Sequence, residues 1–200
     1  MTQEKSVILM IVDISGYTKF MLANKTSLIH AQQIISSLMQ AIIKEINLPM
    51  KIAKFEGDAI FIYALKDKNA KTWTLHKQQI NQKLPFFFHR FKEKLEEMKK
   101  TINCPCGACS NVQGLKLKVI VHSGVALFYK LANFSELAGI DVIILHRLLK
   151  NSINRHEYIL ITEAAHLDIT LQGEKPLRGS EYYDDVGKIN AYVYLPKVLE

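Results

Sequence analysis

Two hundred residues, 48% hydrophobic and 22% charged, suit one globular domain with a full core and exclude a disordered or low-complexity chain. The formal charge is +7, with the lysines dispersed; it fits nucleotide binding, a weak surface for acidic partners or plain solubility, and no long basic run points to nucleic acid. No apolar run reaches the length of a membrane span, and Met1 to Lys5 is polar rather than the start of a signal peptide, so a cytoplasmic protein without membrane or nucleic-acid partners is expected.

Val7 to Val12 is a continuous apolar run, as in a strand buried on both faces. It ends in Asp13, and Ser15-Gly16-Tyr17-Thr18 then turns into a helix. Leu28 to Ile46 places Ile34, Ile35, Leu38, Ile42, Ile43 and Ile46 at helical spacing, with Pro49 as the stop. Met50–Phe55 and Ala59–Ala64 read as a hairpin joined at Gly57-Asp58. Lys66 to Lys71 is a charged loop. Leu75 to Lys100 is a second long helix, with a break expected near Pro85. Its core face is expected to be Phe86, Phe87, Phe88, Phe91, Leu95 and Met98. Asn103 to Gly114 reads as an irregular excursion holding Cys104, Cys106 and Cys109. Then come a strand (Leu115–Leu127), a short helix (Asp141–Asn151), a strand (Tyr158–Thr162) and a helical turn (Glu163–Leu167). Gly173–Gly179 is loop, and Tyr182–Leu195 gives one or two closing strands. The order contains a βαββαβ core. That predicts an α+β, ferredoxin-like fold, an antiparallel sheet with helices on one face. Residues 1–200 read as a single domain with a Cys-rich insertion around 103–114, without linker or repeat.

A strand ending in Asp13, set beside a hairpin with Asp58 at its tip, brings two carboxylates together. Such oxygen ligands suit Mg²⁺ or Mn²⁺, which take the rest of their shell from water and substrate phosphates. The Ser15–Thr18 turn offers backbone amides to the phosphates themselves. The plainer alternative is that Asp13 caps a helix and Gly57-Asp58 only closes a hairpin. Cys104, Cys106 and Cys109 form C-x-C-x-x-C, which suits Zn²⁺ or part of an iron–sulfur cluster. A fourth ligand would come from His89, His122 or a cysteine of a partner subunit. Three reduced thiols in a loop are the alternative. No Ser-His-Asp or Cys-His set and no Walker-type loop is present.

Ile11 to Phe20, IVDISGYTKF, resembles the opening motif of class III nucleotide cyclase catalytic domains, the adenylyl and guanylyl cyclases. Lys54 to Asp58, KFEGD, resembles their second motif, and His122-Ser123-Gly124 their His-(Thr/Ser)-Gly strand. Gly139 to Leu149, GIDVIILHRLL, is similar to the helix motif that carries an Asn and, four residues later, an Arg. Ile189 to Leu195, INAYVYL, is similar to the closing strand. More narrowly, the chain resembles a bacterial branch of cyclase-like proteins with a central cysteine cluster.

The resemblance implies a palm-like ferredoxin fold with extra C-terminal strands, and two Mg²⁺ or Mn²⁺ ions held by Asp13, Asp58 and the backbone carbonyl of Ile14. Ser15, Gly16, Tyr17 and Thr18 would hold phosphates. Lys54 would read adenine, since a lysine only donates hydrogen bonds. Glu136 falls at the second base-reading position. Arg147 would stabilise the transferring phosphoryl group, and Lys188 is a further phosphate candidate. The family's ribose-orienting Asn is Ile143 here, with His146 and Asn151 as nearby polar candidates for its role. Ile143 and Arg147 lie one helical turn apart, so a core Ile143 would make Arg147 structural as well. The family builds each active site between two subunits, which implies a homodimer. The expected activity is cyclisation of a nucleoside triphosphate, ATP to cyclic AMP and pyrophosphate first, and slow. The alternatives are a cyclase for another base, a degenerate nucleotide- or protein-binding module, and a metal- or redox-responsive regulatory subunit.

Overall fold

The apolar run of the first strand becomes the axis of the sheet. In the computed structural model, which describes residues 2–101, 106–171, 173 and 175–196, strand β1 spans Gln3–Ser15. Helix α1 (Tyr17–Ala23) and helix α2 (Leu28–Ile43) follow. The hairpin is β2 (Met50–Glu56) and β3 (Ala59–Leu65). Helix α3 is Ala70–Thr101 and α4 is Gly107–Asn111. Strands β4 (Lys116–Leu131) and β5 (Phe134–Ala138) lead to α5 (Ile140–Arg147). Then come β6 (Tyr158–Thr162), α6 (Glu163–His166), β7 (Leu177–Tyr183) and β8 (Gly187–Tyr194).

The sheet runs β2-β3-β1-β4-β6-β8-β7, with β5 paired to β4 off that path. It is mixed rather than purely antiparallel, because β4 and β6 run parallel. Both faces of β1 are buried. Ile8, Met10, Val12 and Ile14 pack with Ile35 and Leu38 of α2 and with Leu84, Phe87 and Phe91 of α3. Val7, Leu9 and Ile11 pack with Val142 and Leu145 of α5. Helices therefore cover both faces, which corrects the one-face expectation. The continuous apolar run was the signature of it, since an alternating strand would have left one face wet. Asp13 continues the odd-numbered row and so belongs to the face that α5 covers.

Helix α3 does not break at Pro85 but runs through it. Leu84, Phe87, Phe88 and Phe91 around it are at most 4% exposed. Each such side chain contributes about 1.5–3 kcal/mol on burial, and together they outweigh the roughly 3 kcal/mol cost of an interior proline. Phe86 is turned outward, 42% exposed, and leaves the expected core face. The segment after Cys106 is helical where an irregular excursion was expected: α4 is followed by a 3-10 turn, Val112–Gly114, with Ala108 and Val112 buried in the core.

The β4–β5 hairpin was not expected either. Its two-residue loop is Ala132-Asn133, with Ala132 at φ 52°, so the chain turns without the glycine that usually marks such a loop. Helix α5 is pinned to β4 by Asp141. Its Oδ1 lies 2.9 Å from Nε2 of His122, and its Oδ2 accepts from the Val125 amide at 2.6 Å. A Cβ on Gly124 would stand 2.1 Å from the Asp141 carboxyl carbon, so the close docking needs glycine there. On its other side His122 Nδ1 lies 2.8 Å from Thr162 Oγ1. Burial lowers the His122 pKa, against the opposing pull of Asp141.

Candidate active site

The registers of β1 and β3 bring the two carboxylates together. Asp13 pairs with Ala59, and the Ile14 amide donates to the Asp58 carbonyl at 3.3 Å. Asp58 follows Gly57, which at φ +64° occupies the first position of a two-residue hairpin loop between Glu56 and Ala59. Asp13 is not a helix cap. The N-cap of α1 is Gly16, at φ +90° and without a side-chain cap bond. That turn is backed by the 3-10 segment, since a Cβ on Gly16 would sit 3.1 Å from the Gly114 carbonyl oxygen.

Asp13, Asp58 and residues 14–18 all line one cleft of about 540 Å³. Sequence reasoning missed several residues of its wall: Lys118, Asn154, Arg155, His156 and Tyr158. Lys118 stands directly opposite Asp13 in the β1–β4 register, with Nζ 3.1 Å from Asp13 Oδ2 and 3.3 Å from the Leu149 carbonyl, to which it donates. Its signal was present: Leu117, Val119 and Val121 alternate into the core, which turns Lys118 to the carboxylate face. Asn151 also reaches the cleft, donating from Nδ2 to the Leu148 carbonyl and to the Tyr158 hydroxyl, each at 2.7 Å.

Burial, and then the charge of Asp13, push the Asp58 carboxyl from its ordinary 3.8 up to about 6. With both carboxylates ionised, one lysine faces two negative charges, and the surplus charge and hard oxygen donors fit a divalent cation. The folded protein holds a proton on Asp58 more tightly than the unfolded chain does. This group's contribution to stability is therefore complete below about pH 4 and falls as pH rises through 4 to 6. Asp58→Asn should accordingly raise the melting temperature of metal-free protein at pH 7 and leave it little changed at pH 4. Differential scanning calorimetry at the two pH values checks this; an equal shift at both would remove the charge explanation.

Lys54, Glu136, Arg147 and Lys188 do not line this cleft. Lys54 Nζ is 3.0 Å from Glu56 Oε1, and Glu56 also meets His146 Nε2 at 3.0 Å. His146 Nδ1 donates to the Val142 carbonyl at 2.8 Å. Arg147 donates from Nε to Asp185 Oδ2 at 2.8 Å. Ile143 is 50% exposed and not core, so its neighbour Arg147 is not fixed by burial. Glu136 sits in β5 opposite Tyr129, and Lys188 in β8 opposite Tyr182.

Of the cysteine trio, Cys104 lies outside the described residues. Cys106 and Cys109 lie together, and the histidine beside them is neither of the two expected. His122 is engaged with Asp141 and Thr162, and His89 packs edge-on to Phe86. The neighbour is His30, on α2.

The mixed sheet with helices on both faces is the palm fold of the nucleotide cyclases. The structure superposes on the adenylyl cyclase CyaB from P. aeruginosa with a TM-score of 0.70, at 14% identity, over 98% of this chain and 97% of that one. It superposes on the guanylyl cyclase domain of the RhoGC fusion protein from the aquatic fungus Blastocladiella emersonii with a TM-score of 0.61, at 18% identity, over 97% and 98%. By sequence, residues 35–158 match the family described as "Protein of unknown function (DUF2652)", and the chain belongs to that family. The chain is also 36% identical over 114 residues to the Mycobacterium tuberculosis protein Rv2561/Rv2562. That match covers 57% of this chain and spans about half the length of the mycobacterial protein. Among the described residues no helix is long and apolar enough to cross a membrane.

Proposed function

We propose that this chain is a metal-dependent nucleoside triphosphate cyclase of the cytoplasm, residues 1–200 forming one catalytic domain. ATP is the first substrate and 3′,5′-cyclic AMP and pyrophosphate are the products. The observation that carries the reading is the shared cleft of Asp13 and Asp58 beside the Gly16 turn, in a cyclase palm. Asp13, Asp58 and the Ile14 carbonyl would hold two Mg²⁺ or Mn²⁺ ions, which when bound would lower the pKa of the ribose 3′-hydroxyl and neutralise the β- and γ-phosphates. The 3′-oxygen then bonds to the α-phosphorus as the bond to the β-phosphate oxygen breaks, and the proton leaves to water.

The chain's own part is position and charge. Ser15, Gly16, Tyr17 and Thr18 seat the phosphates, and Lys118 and Arg155 add positive charge to the cleft wall. Lys54 and Glu136 read the base, while Arg147 and Lys188 meet the phosphates. These four belong to the partner's cleft in a homodimer. Ile140, Ile143, Leu131 and Phe134, each at least half exposed, lie on α5 and the β4–β5 arm and give that dimer an apolar face to cover. A nucleotide-binding module without turnover is the second reading. It is favoured by Ile143 and by the Arg147–Asp185 and Lys54–Glu56 pairs, which occupy two of the expected substrate contacts.

Purified protein incubated with each of the four nucleoside triphosphates and Mn²⁺ should yield slow cyclic AMP from ATP by mass spectrometry. Saturable ATP binding without any cyclic product would establish the second reading instead.

A further inference from the structure

Away from the cleft, two sulfurs and an imidazole converge from segments far apart in sequence. Cys106 Sγ lies 3.3 Å from Cys109 Sγ and 3.6 Å from His30 Nδ1. One donor atom from each of the three residues falls within 4.8 Å of the others. In a tetrahedral zinc site, bonds of about 2.3 Å to sulfur and about 2.0–2.1 Å to nitrogen put neighbouring ligands about 3.5–3.8 Å apart. The Cys106–His30 separation matches that spacing, the two sulfurs are a few tenths of an ångström closer than it, and Cys109 and His30 are within the 4.8 Å bound.

On the α4 side the backbone that carries the two cysteines is regular and packed. Cys106 is the N-cap of α4, and Cys109, three residues on, shares its helix face. The Ser110 amide donates to the Cys106 carbonyl at 3.1 Å, and Ala108 is buried. A Cβ on Gly107 would lie 2.9 Å from Asn24 Oδ1, so α4 sits tightly against the end of α1. Asn24 is itself buried, its amide donating to the Phe20 carbonyl at 2.7 Å. His30 is exposed and both cysteines are half-buried, so an ion has a way in.

We infer that His30, Cys106 and Cys109 form a thiolate–imidazole site for Zn²⁺ that fastens α4 to α2. Two soft sulfurs and one nitrogen select zinc over the Mg²⁺ or Mn²⁺ that suits the carboxylate cleft. Cys104 lies outside the described residues, and three donors suffice for the assignment. The site is independent of the cyclase reading but connected to the cleft, because the 3-10 turn after α4 backs Gly16.

The test uses the reduced full chain, stripped of metal and titrated with Zn²⁺ against a chromophoric chelator, and with Co²⁺ by absorbance. One ion per chain is expected, and cobalt should give a near-ultraviolet thiolate charge-transfer band with the strong visible bands of tetrahedral geometry. Cys106→Ser and Cys109→Ser should each weaken zinc binding by more than about 100-fold, since loss of even an outer-shell partner costs 10–100-fold. His30→Ala, on an exposed position that leaves folding intact by circular dichroism, should weaken binding by about 10-fold or more and shift the visible bands. His89→Ala should change neither. Reduced wild type that takes up no zinc overturns the assignment, as does affinity unaltered by His30→Ala. So does a Cys106–Cys109 disulfide whose reduction yields no zinc uptake.

Discussion

Asp58→Ala should abolish Mn²⁺-dependent ATP binding and, with it, any cyclic product. The reason lies in the balance of charge in the cleft. Lys118 Nζ is already 3.1 Å from Asp13, so Asp13 alone is a neutralised carboxylate. Asp58 supplies the surplus negative charge, at the cost of a carboxyl pushed up to about 6. Without it, one compensated carboxylate remains and nothing draws a divalent ion out of water. Removing a residue that only hydrogen-bonds to a metal's ligand typically costs 10–100-fold, so losing a direct ligand should reduce Mn²⁺-dependent ATP affinity by more than about 100-fold. Isothermal titration of ATP with and without Mn²⁺ reads this directly. The Asp58→Ala protein should fold, because its change removes a half-buried charge that sits beside another carboxylate. Lys118→Ala should act in the opposite sense on the metal, tightening Mn²⁺ binding in the absence of nucleotide. Metal-dependent ATP binding that survives Asp58→Ala would separate the carboxylate pair from the nucleotide and end the cyclase reading.

What could be read from the sequence was what is local. Asp13, the Gly16 turn and Gly57-Asp58 are adjacent residues whose chemistry depends on a strand end and a hairpin loop, and such features are written in a few consecutive letters. Contacts made by topology were not. His30 and Cys106 are 76 residues apart and share no spacing pattern, so only the packing of α4 on α2 reveals them. The β4–β5 hairpin was hidden because Ala132 takes a left-handed conformation that sequence reasoning assigns to glycine or asparagine. Pro85 and Phe86 were misread for a related reason: a run of three phenylalanines cannot lie on one face of a helix, and the neighbouring aromatics hold the chain helical through the proline. Lys118 lies between these cases, visible in the alternation of its strand but without meaning until Asp13 was placed opposite.

Ile143→Asn should raise the rate of cyclisation by about 10- to 100-fold. One positioned donor to a developing transition state is worth about 10²- to 10³-fold, and a donor restored by substitution recovers part of that. The site suits the change. Ile143 is on the first turn of α5, its amide donates to the Gly139 carbonyl at 3.1 Å, and its side chain is half exposed, so asparagine leaves no cavity. Arg147, one turn on, limits the gain while Asp185 clasps it. Asp185→Ala combined with Ile143→Asn should therefore exceed the single change, by more than the product of the two separate effects if both groups act on one transition state. ATP affinity should stay within a few-fold, because phosphates and metal dominate it. Since Ile143 also belongs to the apolar face expected to be covered by a second copy, sedimentation must show that the variant assembles as the wild type does. A variant that assembles normally, binds ATP and turns over no faster would mean that the ribose is not held from this helix. Wild-type turnover at the rate of an ordinary cyclase would mean that another side chain already holds it, and Asn151, donating at the cleft wall, would be the first to substitute.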